Sequence, residues 1–279
     1  DLNVIGAMQL FAVCQKSPTV ERVVLRSSSS VYGSSAKDPV KFTEEMSARR
    51  PPSGGYARDS IDIEGYARGL GRRRSDIAVS ILRMAPLIGP RLNGTISRYM
   101  TSPLIPSIVG RDARMQLLHE EDALAALERA TLGGSAGTFN IGADGTIMLS
   151  QAIRRAGRVQ VPVPFPLFKS VGRALMGGMM REFTTEQLDY FHFGCGLDTT
   201  RMRSVLGFEP RWTTVQAFDD FVRGAALRPV IRTEWVDSIE DRLVSAVETG
   251  ASTARALAAL RSSEPVRGSE AVLGSGGDG

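Results

Sequence analysis

The stretch GGYARDSIDIEGYAR, Gly54 to Arg68, holds the side chains whose types and spacing most suggest chemistry. Tyr56 stands near its start, Ser60 four residues on, Glu64 eight on, and Tyr66 near its end. On a helix, residues four apart share a face, so Tyr56 and Ser60 point the same way. A tyrosine phenol can take or return an alcohol proton when a hydroxyl holds it and its ionised form is favoured. A free phenol titrates near pH 10 (about), and a neighbouring cation is the usual means of lowering that value. Lysine at the fourth position would supply the charge. Ser60 can donate a hydrogen bond there but brings no charge. No lysine occurs from residue 42 to residue 168, and Arg58 falls on roughly the opposite helix face. Tyr32, Tyr66, Tyr99 and Tyr190 also lack a lysine at the fourth position.

A second group of hydroxyls lies upstream, in RSSSSVYG. Ser27 to Ser30 follow the short β-branched run Val23 to Leu25, which reads as a buried strand ending in a polar loop. In parallel α/β sheets functional groups collect beyond the carboxyl ends of strands. The residues Met84, Ala85 and Pro86, after the apolar run IAVSILRM, occupy a second such end. His119 and His192 are the chain's two histidines and Cys14 and Cys195 its two cysteines, so no metal-ligand cluster is expected and His119 reads as a satisfied structural residue. Arg91, Arg111 and Arg114 read as solvated cations, one of them available to a diphosphate.

The elements that must position these groups follow from periodicity. NVIGAMQLFAVCQKSP has apolar residues at helical spacing and stops at Pro18. Tyr56 to Gly71 reads as the next helix, with Ile61, Ile63, Tyr66 and Leu70 as its apolar contacts, and EDALAALERAT as a third. GTFNIGAD gives a short strand, and LDTTRMRSVLGFEPRWTTVQAFDDFVRGAAL gives two short helices around a turn at Glu209 and Pro210. Strands that are nearly all apolar, alternating with helices, define an α/β class with a parallel sheet and helices on both faces.

The bulk numbers are those of an ordinary globular protein: 279 residues, 42% hydrophobic and 23% charged. No apolar run reaches the length of a membrane span, since VQVPVPFPLFKSVGRALMGGMM is broken by prolines, Lys169 and Arg173. Two cysteines offer no disulfide framework, which points to a reducing, cytoplasmic setting. Lys16, Lys37, Lys41 and Lys169 are the only lysines, so thirty of the thirty-four basic residues are arginine. The run Arg72 to Arg74 has no aromatic residues interleaved and suits a helix C-terminus, which argues against a nucleic-acid partner. GSGGDG at Gly274 to Gly279 spells a dinucleotide-binding fingerprint, yet no strand precedes it and no helix follows, so it is a chance match. The Ala/Ser/Gly-rich chain from about residue 250 reads as a disordered tail.

Taken in order, DLNVIGAMQLF, SSSSVYG, the Tyr56 helix with Glu64, ILRMAPLIGP, LLHEEDALAAL and LDTTRMRSVLGFEPRW resemble extended short-chain dehydrogenases/reductases. More narrowly they resemble the NAD-dependent epimerase/dehydratase family, which includes proteins like UDP-glucose 4-epimerase. The resemblance covers residues 1 to about 230 and implies a Rossmann-like sheet with a small α+β substrate lobe. The division it implies is residues 1–90 as the C-terminal half of the NAD(P)-binding domain and 91–230 as the lobe, with about 116–145 returning to the core. A terminal helix over 231–249 and the tail, 250–279, complete it. The chain starts with Asp1, which fits a missing N-terminal portion bearing the glycine-rich phosphate loop.

Carried over residue by residue, the resemblance makes Tyr56 the acid/base, Ser28 its hydrogen-bonding partner and Asn3 the support of a water relay. It places NAD or NADP against Ser27, Tyr56, Ser60, Met84, Ala85 and Pro86, and a sugar-like substrate against Ser29, Arg91 and Arg114. A hydride would pass between a sugar carbon and the nicotinamide. Three positions depart from the pattern: Ser60 replaces the lysine that also holds the nicotinamide ribose, Pro86 replaces a substrate-binding asparagine, and Met115 replaces an arginine. Two activities are therefore expected alternatives, an epimerase, dehydratase or reductase of a nucleotide sugar, and a dinucleotide-binding sensor or scaffold without catalysis. The resemblance also allows a homodimer through the helices Asn3–Gln15 and Tyr56–Gly71.

Overall fold

The computed structural model describes residues 2–227 apart from 50, 53, 54, 134 and 177–182. The helix expected over 231–249 and the tail over 250–279 lie outside the described residues. The chain opens with α1 (Leu2–Lys16), which stops before Pro18, and continues into β1 (Arg22–Ser28). A 3₁₀ turn, Ser29–Tyr32, carries the serine cluster and ends at Gly33, whose φ of 68° is the left-handed value that a glycine accepts without strain. After a loop come α2 (Gly55–Arg73) and β2 (Ala78–Met84). The two-residue strands β3 (Leu87–Ile88) and β6 (Leu118–His119) pair in parallel, and β6 leads directly into α4 (Glu120–Leu132) and then β7 (Gly137–Ile141).

β1, β2 and β7 form one parallel sheet in that order, with Ser27 opposite Arg83 and Arg83 opposite Asn140. Successive side chains of a strand face opposite sides. Val79 and Ile81 accordingly turn to one face, where they meet Ala67 and Leu70 of α2 and Phe11 of α1. Leu82 and Met84 turn to the other, against Ala123, Ala126 and Ala130 of α4 and beside Phe139 and Ile141 of β7. Leu82 and Phe139 are fully buried, and each such side chain contributes about 1.5–3 kcal/mol. The alanine face of α4 lets that helix lie close to the sheet. This is a Rossmann-like layer with helices on both sides. α1 is apolar on more than one face: Phe11 is buried while Ile5, Leu10 and Val13 are exposed.

Between and beyond these elements the chain builds a second core. α3 (Thr95–Thr101) precedes β4 (Leu104–Ile108), which pairs in parallel with β9 (Val159–Val163). β5 (Arg114–Met115) lies between β10 (Gly194–Cys195), parallel to it, and β8 (Ile147–Met148), antiparallel. The helices are α5 (Leu149–Arg155), α6 (Phe168–Met176), α7 (Thr185–Phe193), α8 (Thr200–Ser204) and α9 (Thr214–Gly224). Tyr99 stacks on Phe191, with Phe183 edge-on, and its hydroxyl donates to the Pro106 carbonyl. Thr184 and Thr213 start α7 and α9 with reciprocal capping boxes to Gln187 and Gln216. Asp122 of α4 accepts the backbone N–H groups of Arg211 and Trp212, which fixes the approach to α9. This α+β lobe packs next to the sheet layer.

Candidate functional site

β1 shows why the serine cluster sits where it does. Ser27 faces α2 and donates to Glu64 Oε1 at 2.6 Å. Ser28 faces the other way, and its Oγ accepts the Ser30 N–H at 3.1 Å, which starts the 3₁₀ turn. That turn lays Ser29 and Ser30 beyond the carboxyl end of β1, beside Pro86 and Leu87 beyond the end of β2.

Beneath the turn lies a buried ionic network. Arg83 Nη2 donates to Glu64 Oε2 at 2.7 Å and Nε to Oε1 at 3.0 Å, while Nη1 donates to the Tyr32 hydroxyl at 2.8 Å. The Tyr32 hydroxyl in turn donates to Asn140 Oδ1 at 2.7 Å, and the Asn140 amide donates to the carbonyls of Phe42 and Asp198. Burial works to raise the Glu64 carboxyl, but the Arg83 hydrogen bonds and charge outweigh it and hold the carboxyl below its usual range. Burial pushes the Tyr32 phenol up to about 12, against the pull of Arg83. Tyr32 therefore stays protonated and donates. The network joins α2, the serine turn and two strands, and it contains no free group.

Above it opens a cavity of about 280 Å³. Its walls bring together four of the residues singled out in the sequence: Ser28, Ser29, Tyr56 and Pro86. Tyr56, in the first turn of α2, is 50% exposed, so its phenol is open to a ligand. The remaining wall comes from Arg26, Ser30, Thr95 and the start of the α7 segment, with Thr184, Glu186 and Tyr190. Gln187 closes that side, its Nε2 donating to Thr95 Oγ1 at 2.9 Å. Ser30 Oγ is buried and finds no partner among the described residues. Neutral hydroxyls, the half-exposed Tyr56 phenol, the Arg26 guanidinium and the unused Ser30 hydroxyl can together bind the hydroxyl-rich part of a nucleotide or sugar.

The other singled-out residues are placed elsewhere. Ser60 is buried and its hydroxyl donates to the Tyr56 carbonyl at 2.7 Å. Met84 and Ala85 are buried in the core and do not line the cavity, and Ser27 is occupied by Glu64. Asn3 is exposed in the first turn of α1 and does not line the cavity. Arg91 is drawn to Glu120, Nε to Oε1 at 3.0 Å. Arg114 lines a different cleft of about 320 Å³, with Arg111, His192 and Cys195. Cys195 is no nucleophile there, because burial and then the Asp38 charge push its thiol up to about 12. His119 is a structural residue: it accepts the Glu121 N–H as the cap of α4, stacks on Trp212 at 4.3 Å and meets Asp220 Oδ2 at 3.2 Å. Among the described residues no group of three metal-ligating side chains occurs, and no helix is long and apolar enough to cross a membrane.

Sequence reasoning passed over Arg26 and the α7 residues. Arg26 is visible as a charge inside an apolar strand pattern. Thr184 and Gln187 are visible only as a capping box, and nothing local says that their turn faces Tyr56.

A parallel sheet covered on both faces, with a hydroxyl-lined cavity at the carboxyl ends of its strands, defines a Rossmann-like α/β protein with an attached lobe. The chain belongs to the NAD dependent epimerase/dehydratase family, whose profile matches residues 1–142. It is 60% identical over 244 residues to Uncharacterized protein Rv0501 of Mycobacterium tuberculosis, covering 88% of this chain and 65% of that protein. The chain thus spans 65% of the length of the curated relative it matches. Among solved structures it is similar to dTDP-glucose 4,6-dehydratase of Bacillus anthracis in complex with NAD, with a TM-score of 0.61 at 19% identity over 80% of this chain and 67% of that one. MoeE5 in complex with UDP-glucuronic acid and NAD gives 0.60 at 19% identity, over 80% and 71%. UDP-glucose 4-epimerase of Thermotoga maritima with UDP-glucose gives 0.59 at 18%, over 80% and 68%.

Proposed function

We propose that the full-length protein is an NAD(P)-dependent enzyme that epimerises, dehydrates or reduces a sugar-like substrate carried on a nucleotide. One observation carries this reading: Tyr56 and Ser28, from different elements, line one cavity at the carboxyl end of β1. The family supports the cofactor, and the UDP-glucuronic acid and UDP-glucose bound in similar structures support the substrate class. The donor set fits the nicotinamide riboside end of a dinucleotide, since the Ser28 and Tyr56 hydroxyls and the unpartnered Ser30 Oγ suit ribose and amide groups. When bound, the dinucleotide accepts and returns a hydride.

The chain's own part is binding, orientation and proton movement. Tyr56 Oη takes the proton of the substrate alcohol, or returns it, from a solvent-open position. Ser28 hydrogen-bonds the same oxygen region and holds the alcohol in line. Pro86, Leu87 and Ile96 supply an apolar wall beside these hydroxyls. In this reading residues 1–90, with about 116–145, form the cofactor half, and the rest of 91–230 forms the substrate lobe. Supplying the full-length protein with NAD or NADP and a panel of nucleotide sugars tests it. Turnover that survives unchanged in Tyr56→Phe would remove Tyr56 from the mechanism.

A second reading has its own observation. Ser60 is turned back on the helix and gives Tyr56 no charge. A protein that binds the dinucleotide and senses it, without chemistry, needs no activated phenol. Dinucleotide binding without turnover of any member of the panel would select this reading.

A further inference from the structure

Arg26 stands on β1 two residues before Ser28, so the two side chains share a face of the strand. Ser27, between them, turns to Glu64 on the other side. Arg26 lines the same cavity as Ser28 and Tyr56 and is the one cation of that lining among the described residues. Its side chain is exposed and makes no ion pair and no hydrogen bond among the described residues. Glu186, the acid of the same lining, is not paired with it. Other arginines behave differently: Arg83, Arg91 and Arg74 are each held by a carboxylate. Opposite Arg26 in the ladder is Leu82, an apolar residue of the sheet interior. Its exposed position by the hydroxyl wall leaves the guanidinium open to a ligand.

We propose that Arg26 is the cationic anchor of this cavity, holding the phosphate nearest the nicotinamide ribose of a bound dinucleotide. This rests on the dinucleotide reading given above. A guanidinium offers paired donors that match phosphate oxygens, and such bonds are stronger than neutral ones. The charge enters from the strand, on the Ser28 side, while Ser60 of α2, one turn after Tyr56, brings none. The role is one of binding and requires no proton or electron transfer.

Fluorescence titration of the full-length protein with NADH and with NADPH tests it, using wild type, Arg26→Gln and Arg26→Lys. Replacement by Gln is expected to weaken binding about tenfold, and replacement by Lys to keep most of the affinity. Raising the salt concentration should narrow the gap between wild type and Arg26→Gln, since the lost contact is electrostatic. The thermal unfolding midpoints of the three proteins should agree, because Arg26 is exposed and holds nothing in the fold. Wild-type binding that Arg26→Gln leaves unchanged overturns the anchor and leaves the dinucleotide reading intact. A loss that salt does not alter and Lys does not recover also overturns it. Failure of the wild type to bind either dinucleotide overturns both.

Discussion

Arg83 of β2 and Glu64 of α2 meet as a forked ion pair, Nη2 to Oε2 at 2.7 Å and Nε to Oε1 at 3.0 Å, out of contact with solvent. The pair fixes the middle of α2 against the sheet, two turns from Tyr56 at its start. Ser27 and Arg68 fill the remaining positions around the carboxylate, and Tyr32 accepts from the guanidinium. A buried pair so fully hydrogen-bonded is costly to break from one side only.

Glu64→Gln should therefore destabilise the fold by about 3–5 kcal/mol in urea unfolding at neutral pH, because the Arg83 charge stays buried without its partner. The pH dependence has a definite sign. The folded carboxyl titrates below its ordinary value of 4.5, so its stabilisation is fully present above that pH and is lost as pH falls through the lower folded value. Wild-type stability should fall below pH 4.5 with a component that Glu64→Gln lacks. Equal acid slopes in the two proteins would contradict this.

Tyr32→Phe removes the acceptor of Arg83 Nη1 and the donor to Asn140 at once. The expected loss is about 1–3 kcal/mol, since both partners stay buried. The phenol is raised to about 12 in the fold, so its stabilisation is present below the ordinary value of 10.0 and is lost as pH rises from there towards 12. The wild type should lose stability over that alkaline window more steeply than the variant, as read by urea midpoints on either side of it.

Tyr56→Phe separates chemistry from folding. The side chain is half exposed, so stability should change by no more than about 0.5 kcal/mol. On the proposed function, turnover of a nucleotide sugar should fall by about 10²–10⁴-fold, the usual size of a lost acid/base contribution. Steady-state rates and thermal unfolding measured on the same preparation decide it.

His119→Ala should do the reverse. It removes the α4 cap and the stacking on Trp212, with an expected cost of about 1–2 kcal/mol. NADH affinity should stay at the wild-type value, because His119 does not line the cavity. A large drop in affinity at unchanged stability would show that His119 has a ligand-facing role.

Much of this fold can be read locally, and the limits of that reading have physical causes. The helices at Leu2–Lys16, Gly55–Arg73 and Glu120–Leu132 follow from apolar spacing with a proline or glycine at hand. β1 reads as Val23 to Leu25 by composition, yet runs to Ser28 in the structure. Serine has little strand preference of its own, and it is the ladder to Arg83 and Met84 that holds Ser27 and Ser28 extended. Tyr56 and Ser28 are legible as hydroxyls at the right kind of place. Glu64 stands out by its spacing, but its partner Arg83 is nineteen residues away on another element and only the sheet register brings it there. The third wall is the least legible, since Thr184 and Glu186 reach Tyr56 only after the lobe has folded back across about half the chain.

Ser60 sits on the inner face of α2 in a line of small or paired residues, Ala57, Ser60, Glu64 and Ala67, all buried against the sheet. Its hydroxyl bonds back to the Tyr56 carbonyl one turn earlier, so it is spent within the helix. A lysine at this position would lose that bond and would have to carry its charge into a buried site. A cation beside the phenol is better supplied from another element of the fold.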